Sequence, residues 1–407
     1  MTKIDTTLLV AAKEFGTPLY LYDADLVIRR YRELREFIPW PKLRIHYAMK
    51  ANYNAGLLKA LYDVDACLDT VSPAEIIMAM KLGFPSDHLL YTANNMTDRE
   101  MRQVQGTGVL LNIDSLSGLE KFGREFPGSR ICLRFNPDVV DGENEKVRTG
   151  GNLTKFGILL QDVAKVKEIT AKYGLVVIGL HEHTGSGLEK TESVYRSMQN
   201  LMAIATPGNF PDLEFLDFGG GFKVPYRPDE LRVDYPAMGK EITKLFNQFC
   251  EQYGKELEMR FEPGKYIVAE AGYLIMEVNT IKYNNERAIV GCNSGFPQLI
   301  RPVMYDAYHH IRNLTNPHGE PSRYDICGNI CETGDRFAEQ RELPEIREGD
   351  LLAIENAGAY CYSMGGVYNL RPMPAEVMVY RGQTKLVRRR MSNEELVDRI
   401  LEESSLN

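Results

Sequence analysis

Eight short apolar runs recur along the first two thirds of the chain, separated by stretches with helical spacing. They are 43–49, 66–71, 88–93, 108–114, 130–136, 176–183, 213–219 and 257–263. Between the second and third, Ala74 to Lys81 is amphipathic, and Ser72-Pro73 before it predicts an N-cap and a first helical residue. Thr191 to Ile204 is a second such stretch, ended by Pro207-Gly208. Strands alternating with helices predict parallel βα units. Eight units over about 240 residues fit a closed (β/α)8 barrel, although an open doubly wound sheet has the same count. The polar residues favour the barrel. Each run is apolar until its C-terminal end, where Lys50, Asp69, Asn94, Asp114, Arg134 with Asn136, His183 with Ser186, Gly219-Gly220-Gly221 and Glu262 stand in turn. Barrel enzymes draw their chemistry from that end of several strands.

After about residue 270 the pattern changes to short strands at 288–290, 324–326, 351–354 and 377–380, with one late helix at 393–403. This predicts an antiparallel β domain. Thr17 to Tyr22 reads as a strand that joins it, since a lone strand has no partner of its own. The expected layout is therefore α/β: a barrel over residues 25–270, and a β domain from 1–24 and 271–407. Pro137 to Gly151 reads as a long mobile loop over the barrel mouth, and Arg388-Arg389-Arg390 as a solvated run.

The chain has 407 residues, with 48 Lys+Arg against 56 Asp+Glu and a net charge of −8. That balance disfavours non-specific binding to nucleic acid or to an anionic membrane. No run of ~18 apolar residues marks a membrane span. Lys3, Asp5, Lys13 and Glu14 break up the N-terminus, so a signal peptide is not expected. Seven cysteines scattered over a long chain do not form a disulfide framework. These features predict a cytoplasmic enzyme.

Lys50 closes the first run among small and apolar neighbours, where desolvation would lower its pKa and make it a Schiff-base nucleophile. Gly219-Gly220-Gly221 follows the seventh run, a common phosphate position in barrels, and Ser186 could add a hydroxyl. His181 and His183 are two apart, so a metal site is one reading and a histidine stacked on an aromatic ring is another. Glu262 could pair with a protonated ring nitrogen, or form a structural salt bridge. Together, a lysine, a phosphate cup, a stacking histidine and a carboxylate describe a pyridoxal phosphate site.

The chain resembles the fold-type III pyridoxal phosphate-dependent decarboxylases along nearly its whole length. The motifs are Tyr-Ala-Met-Lys-Ala-Asn at 47–52, His-Thr-Gly-Ser at 183–186, Asp-Phe-Gly-Gly-Gly-Phe at 217–222, Glu-Pro-Gly at 262–264, Cys-Glu-Thr-Gly-Asp at 331–335, Gly-Ala-Tyr at 358–360 and Tyr-Asn at 368–369. The resemblance implies that Lys50 holds the cofactor pyridoxal 5'-phosphate and that His183 stacks on it. It implies that Ser186, Gly219, Gly220, Gly221 and Tyr368 hold the phosphate, Glu262 the ring nitrogen, and that Asp69, Arg134, Asn136 and Gly264 line the site. Arg301 and Tyr305 resemble a clamp for a distal carboxylate, which an arginine fork suits. Lys265 stands where the family more often has arginine, keeping the charge but losing the fork. The resemblance further implies a homodimer in which Cys331 and Glu332 reach the partner's site. There Cys331 would return a proton, and Glu332 would read the distal amine.

The expected reaction is decarboxylation of meso-2,6-diaminopimelate to lysine, with no metal. A decarboxylase acting on D-ornithine, D-lysine or carboxynorspermidine is the alternative within the fold. A metal-dependent barrel hydrolase using His181 and His183, and a non-catalytic cofactor-binding partner, are the alternatives outside it.

Overall fold

The structure is a computed structural model that describes residues 2–151, 154–188, 190–285 and 287–404. Its eight barrel strands are Leu43–Ala48, Cys67–Thr70, Leu89–Tyr91, Leu110–Ile113, Arg130–Asn136, Val176–His181, Phe215–Asp217 and Glu258–Phe261. One falls in each apolar run. Each strand pairs in parallel with the next in chain order. The eighth closes on the first through Met259↔Leu43 and Phe261↔Ile45. A closed sheet has no edges, which decides against the doubly wound alternative. Leu90, Cys132, Ile178 and Phe215, from four different strands, form a cluster of their own apart from the main core. The helix at Pro73–Lys81 starts as its sequence predicts, with the Ser72 side chain accepting from Glu75 N and Pro73 as its first residue.

A second sheet of nine strands combines Leu19–Asp23 with strands between Gly272 and Arg388. Leu19–Asp23 does join it, between Gly272–Asn284 and Ala375–Tyr380. The sheet is mixed rather than antiparallel: Leu19–Asp23 runs parallel to Ala375–Tyr380, and Arg287–Cys292 parallel to Pro321–Cys327. Hairpins force neighbouring strands to oppose one another. These pairs come from distant parts of the chain and carry no such constraint.

Two further features depart from the sequence reading. Lys3–Phe15 is a helix with a capping box between Thr2 and Asp5. Its Leu8, Ala11 and Ala12 pack on Leu19, Leu21, Ile275 and Val377. Arg388–Arg390 is only partly a solvated run, with Arg389 exposed and its two neighbours half-buried. Arg388 pairs with the fully buried Glu376, Arg389 is bidentate on Glu395 at 2.6 and 2.7 Å, and Arg390 donates to the Pro18 carbonyl. Among the described residues no helix is long and apolar enough to cross a membrane.

Candidate active site

The first barrel strand ends at Ala48, and a short 3-10 turn, Met49–Ala51, carries Lys50 over the barrel mouth. Its Nζ lies 2.8 Å from Oδ2 of Asp69, which is fully buried at the end of the second strand. The other Asp69 oxygen has no hydrogen-bond partner. Burial alone would lower the Lys50 pKa, but Asp69, Tyr360 and Glu262 outweigh it, and the pKa is raised. Desolvation therefore does not by itself prime this amine. The buried carboxylate holds it charged, so it must shed a proton before it can attack.

Glu262 directly follows the eighth strand, buried between two donors. Thr92 Oγ1 donates to Oε1 at 3.1 Å, and His181 Nε2 lies 3.0 Å from Oε2. Burial pushes His181 well below the usual histidine range, so it is neutral and donates through Nε2–H. His183 does not join it. The sixth strand ends at His181, so the two-residue alternation does not extend to His183, whose Nδ1 instead accepts from Gly220 N at 3.1 Å. His181, Asp217 and Glu262 do lie close, with one ligand atom of each within 4.8 Å of the others. Here Oε2 of Glu262 is already engaged by the imidazole.

The glycine run is required by close approach. Gly219 has φ +62°, and a Cβ there would lie 2.6 Å from His183 Nδ1. A Cβ on Gly220 would lie 2.5 Å from the Glu262 carbonyl oxygen. The backbone of this loop thus packs directly against the histidine and the carboxylate strand.

A cavity of about 410 Å³ opens above these groups. Of the residues singled out by sequence, Lys50, Asn94, Arg134, His183, Ser186, Lys265, Arg301 and Tyr305 line it. Arg134 is buried, with its guanidinium carbon 4.6 Å from the centre of the Phe156 ring. Gly264 caps the short helix Lys265–Val268 that presents Lys265. Asn136 faces the loop after the fifth strand: its Nδ2 donates to the Gly151 carbonyl at 3.0 Å, and its Oδ1 accepts from Gly151 N at 2.9 Å. That loop is tied down further by Thr149 Oγ1 to the His183 carbonyl, 2.7 Å, and by Asn144 Nδ2 to the Tyr305 carbonyl, 3.1 Å.

Lys265 and Arg301 are buried side by side in charge terms, because Oε1 of Glu143 pairs with both, 3.2 Å from Arg301 Nη2. Burial lowers the Lys265 pKa to about 8, with Glu143 opposing it. Arg301 also contacts His309 Nε2 at 3.2 Å and sits over the Tyr226 ring. Cys331, Glu332 and Tyr368 do not line this cavity. They form an exposed group in which the Tyr368 hydroxyl donates to Glu332 Oε1 at 2.7 Å, and Asn369 Oδ1 accepts from Cys331 N at 3.1 Å.

Sequence reasoning did not single out Thr92, Glu143, Phe156 or Tyr360 as site residues, all of which line the cavity. Thr92 carries a readable signal, a polar residue at the end of the third apolar run. Glu143 lies in an irregular loop and carries none.

Residues 24–269 match the family described as "Pyridoxal-dependent decarboxylase, pyridoxal binding domain". The chain belongs to the pyridoxal-dependent decarboxylases. Decarboxylases of named substrate resemble it along nearly its full length. It is 42% identical to the diaminopimelate decarboxylase of Methanothermobacter thermautotrophicus over 394 residues, covering 95% of this chain and 92% of the relative. The structure of diaminopimelate decarboxylase from Helicobacter pylori complexed with L-lysine superposes with a TM-score of 0.87 at 30% identity, covering 95% of this chain and 97% of that one. The lysine/ornithine decarboxylase of Vibrio vulnificus complexed with putrescine shares the fold, with a TM-score of 0.80 at 21% identity over 93% of this chain and 99% of that one.

The residues present in this decarboxylase fit a pyridoxal group. An amine and a flat imidazole face one cavity. Gly220 packs against Glu262 so closely that no side chain is admitted. The buried Glu262 is bonded by two donors, which leaves acceptor capacity on each oxygen.

Proposed function

We propose that the chain decarboxylates meso-2,6-diaminopimelate to L-lysine and carbon dioxide, with pyridoxal 5'-phosphate held at Lys50. The carrying observation is the pair of buried cations, Lys265 and Arg301, lining the same cavity as Lys50. Buried cations call for an anion. A diamino acid with a distal carboxylate supplies one; ornithine, lysine and carboxynorspermidine do not place one there. The names of the full-length relatives support the same substrate.

Each residue then has a definite task. Lys50 would hold the aldehyde end of the cofactor and give way to the substrate amine. When bound, pyridoxal phosphate supplies a conjugated ring that accepts the electron pair released as carbon dioxide leaves. Glu262, kept in place by Thr92 and neutral His181, would hold a proton at the ring nitrogen. His183 would lie flat on the ring, with Arg134 and Asp69 beside it, and Asn136 would fix the covering loop. Ser186 and the glycines 219–221 would hold the phosphate, with Tyr368, exposed beside Glu332, able to reach it only from a partner chain, and Gly264 keeps the wall thin at Ala48 and Ala51. Cys331 would return a proton to the carbon that lost its carboxylate, and Glu332 would hold the distal ammonium. Both are exposed and stand outside their own chain's cavity, which supports their acting across a homodimer. The seven cysteines are all free thiols, which supports a reducing, cytoplasmic location.

Purified protein supplied with pyridoxal phosphate and meso-diaminopimelate should release lysine and carbon dioxide. Arg301→Ala should lower kcat/KM for diaminopimelate by about 10²-fold, the cost of an unpaired buried carboxylate. The same change should barely alter turnover of D-lysine. If diaminopimelate turnover survives Arg301→Ala, the distal clamp is wrong and the diamine reading gains.

Lys265 adds a pH signature. Its pKa is lowered to about 8 by burial. As pH rises through that value the ammonium is lost, its attraction for a carboxylate goes with it, and kcat/KM for diaminopimelate should fall. Lys265→Arg keeps its charge at all these pH values. In that variant the fall should move to higher pH, and an unmoved profile would assign it to another group.

A further inference from the structure

In this structure the distal-carboxylate clamp already holds a carboxylate, and it comes from the chain itself. Oε1 of Glu143 pairs with Lys265 Nζ and with Arg301 Nη2. Among the described residues no other acid forms an ion pair with either cation. The other neighbours of Arg301 are the His309 imidazole and the face of Tyr226, which carry no negative charge. Burial lowers His309 to about 3, so it stays neutral. Glu143 arrives on the loop after the fifth strand, whose backbone is tied to the sixth-strand loop by Glu143 N to the Ser186 carbonyl at 3.2 Å. Its side chain remains about a quarter exposed, at 23%, whereas those of Lys265 and Arg301 are at 5% and 4%.

We infer that Glu143 is a place-holder anion: it pairs with Lys265 and Arg301 while the clamp is unfilled and is displaced by the distal carboxylate of the substrate. This deepens the diaminopimelate reading and rests on it. Occupancy favours exchange over coexistence, because Oε1 of Glu143 already takes the Lys265 Nζ and Arg301 Nη2 that a distal carboxylate would use. With Glu143 in place the clamp has two cations and one anion. Adding a substrate carboxylate without removing Glu143 sets two carboxylates against each other at one buried site. Swapping one for the other leaves the local charge unchanged and keeps both cations paired.

The exchange also makes Glu143 a specificity-determining residue. A dicarboxylate can replace what it displaces. A ligand with one carboxylate, bound at the Lys50 end, offers nothing to the clamp and leaves Glu143 where it is. Every dicarboxylate must compete with Glu143, so the wild-type affinity for such ligands is lower than the clamp alone would give. Glu143→Gln keeps the shape and removes the competing charge.

The test is calorimetric binding of pimelate, which has both carboxylates of the substrate and no amine to react. Glu143→Gln should bind pimelate at least about tenfold more tightly than wild type, in the range of close charge pairs. Binding of hexanoate, with one carboxylate, should shift far less. Glu143→Asp, whose shorter side chain keeps the charge but withdraws it, should shift pimelate in the same direction by a smaller factor. It also covers the case in which the glutamine variant does not fold. Pimelate affinity that is unchanged or weaker in whichever variant folds would overturn the place-holder. So would a variant that weakens diaminopimelate while leaving pimelate alone, since Glu143 would then read the distal amine. The two readings fail separately. Tighter pimelate without diaminopimelate turnover sinks the substrate, while diaminopimelate turnover with unmoved pimelate sinks the place-holder.

Discussion

Lys50→Ala should give a folded protein that turns over diaminopimelate at least about 10³-fold more slowly and does not retain the yellow colour of bound cofactor, because the covalent nucleophile is gone. The fold should survive the change for a reason visible at the site. Lys50 is the one ion-pair partner of Asp69 among the described residues, and removing it leaves a fully buried carboxylate. Burial has already raised the Asp69 pKa, with Glu262 adding to it and Lys50 holding it down. Without Lys50 the acid takes up a proton rather than remain a lone buried charge. Stability should therefore become pH-dependent. An acid whose folded pKa lies above its unfolded value favours the fold at low pH and disfavours it as pH rises through the folded pKa. The melting temperature of Lys50→Ala should thus drop toward alkaline pH more steeply than that of wild type. Turnover within tenfold of wild type, or a retained yellow absorption band, would remove Lys50 from the chemistry.

The barrel was legible because each of its strands is a short apolar run closed by a polar residue, and because helix signals such as Ser72-Pro73 lie between them. Periodicity counts such units well. It does not report strand direction between segments far apart in sequence, which is why Leu19–Asp23 could be assigned to the second sheet but not oriented in it. The helix Lys3–Phe15 is signalled at its start only by Thr2 and Asp5, spaced for a capping box. At the site, residue types were legible and their pairings were not. Lys50 could be named, yet burial alone suggested an amine stripped of its proton, when Asp69 in the next strand does the opposite. Arg388 looked solvated because its partner, Glu376, sits on a neighbouring strand. Glu143 left no trace in the pattern. Its role depends on a loop returning to two cations that stand 122 and 158 residues further on.

Glu262→Gln should lower kcat by about 10²–10³-fold, the scale seen when one charged contact to the developing transition-state charge is removed. The neighbours make this a clean substitution. Glutamine has nearly the same volume, and its amide oxygen can still accept from Thr92 or His181, so melting should move little. The lost quantity is the negative charge. Neutral His181 and the Thr92 hydroxyl donate to Glu262 without cancelling that charge. Nearby Asp217 is a poor substitute, because burial, reinforced by Glu262, raises its pKa well above the usual carboxylate range. A ring nitrogen facing Glu262 would thus be held protonated by one carboxylate, and in the glutamine variant it would have to take its proton from solution. The sign of the pH effect follows. Activity of Glu262→Gln should rise as pH is lowered, since acid restores the ring proton, over a range where wild type is flat. His181→Phe, which removes a donor but leaves the carboxylate, should lose much less and show no such recovery. A glutamine variant that stays within threefold of wild type, or that loses activity without any gain toward low pH, would mean that Glu262 is a structural partner of His181 rather than the counter-charge of the ring.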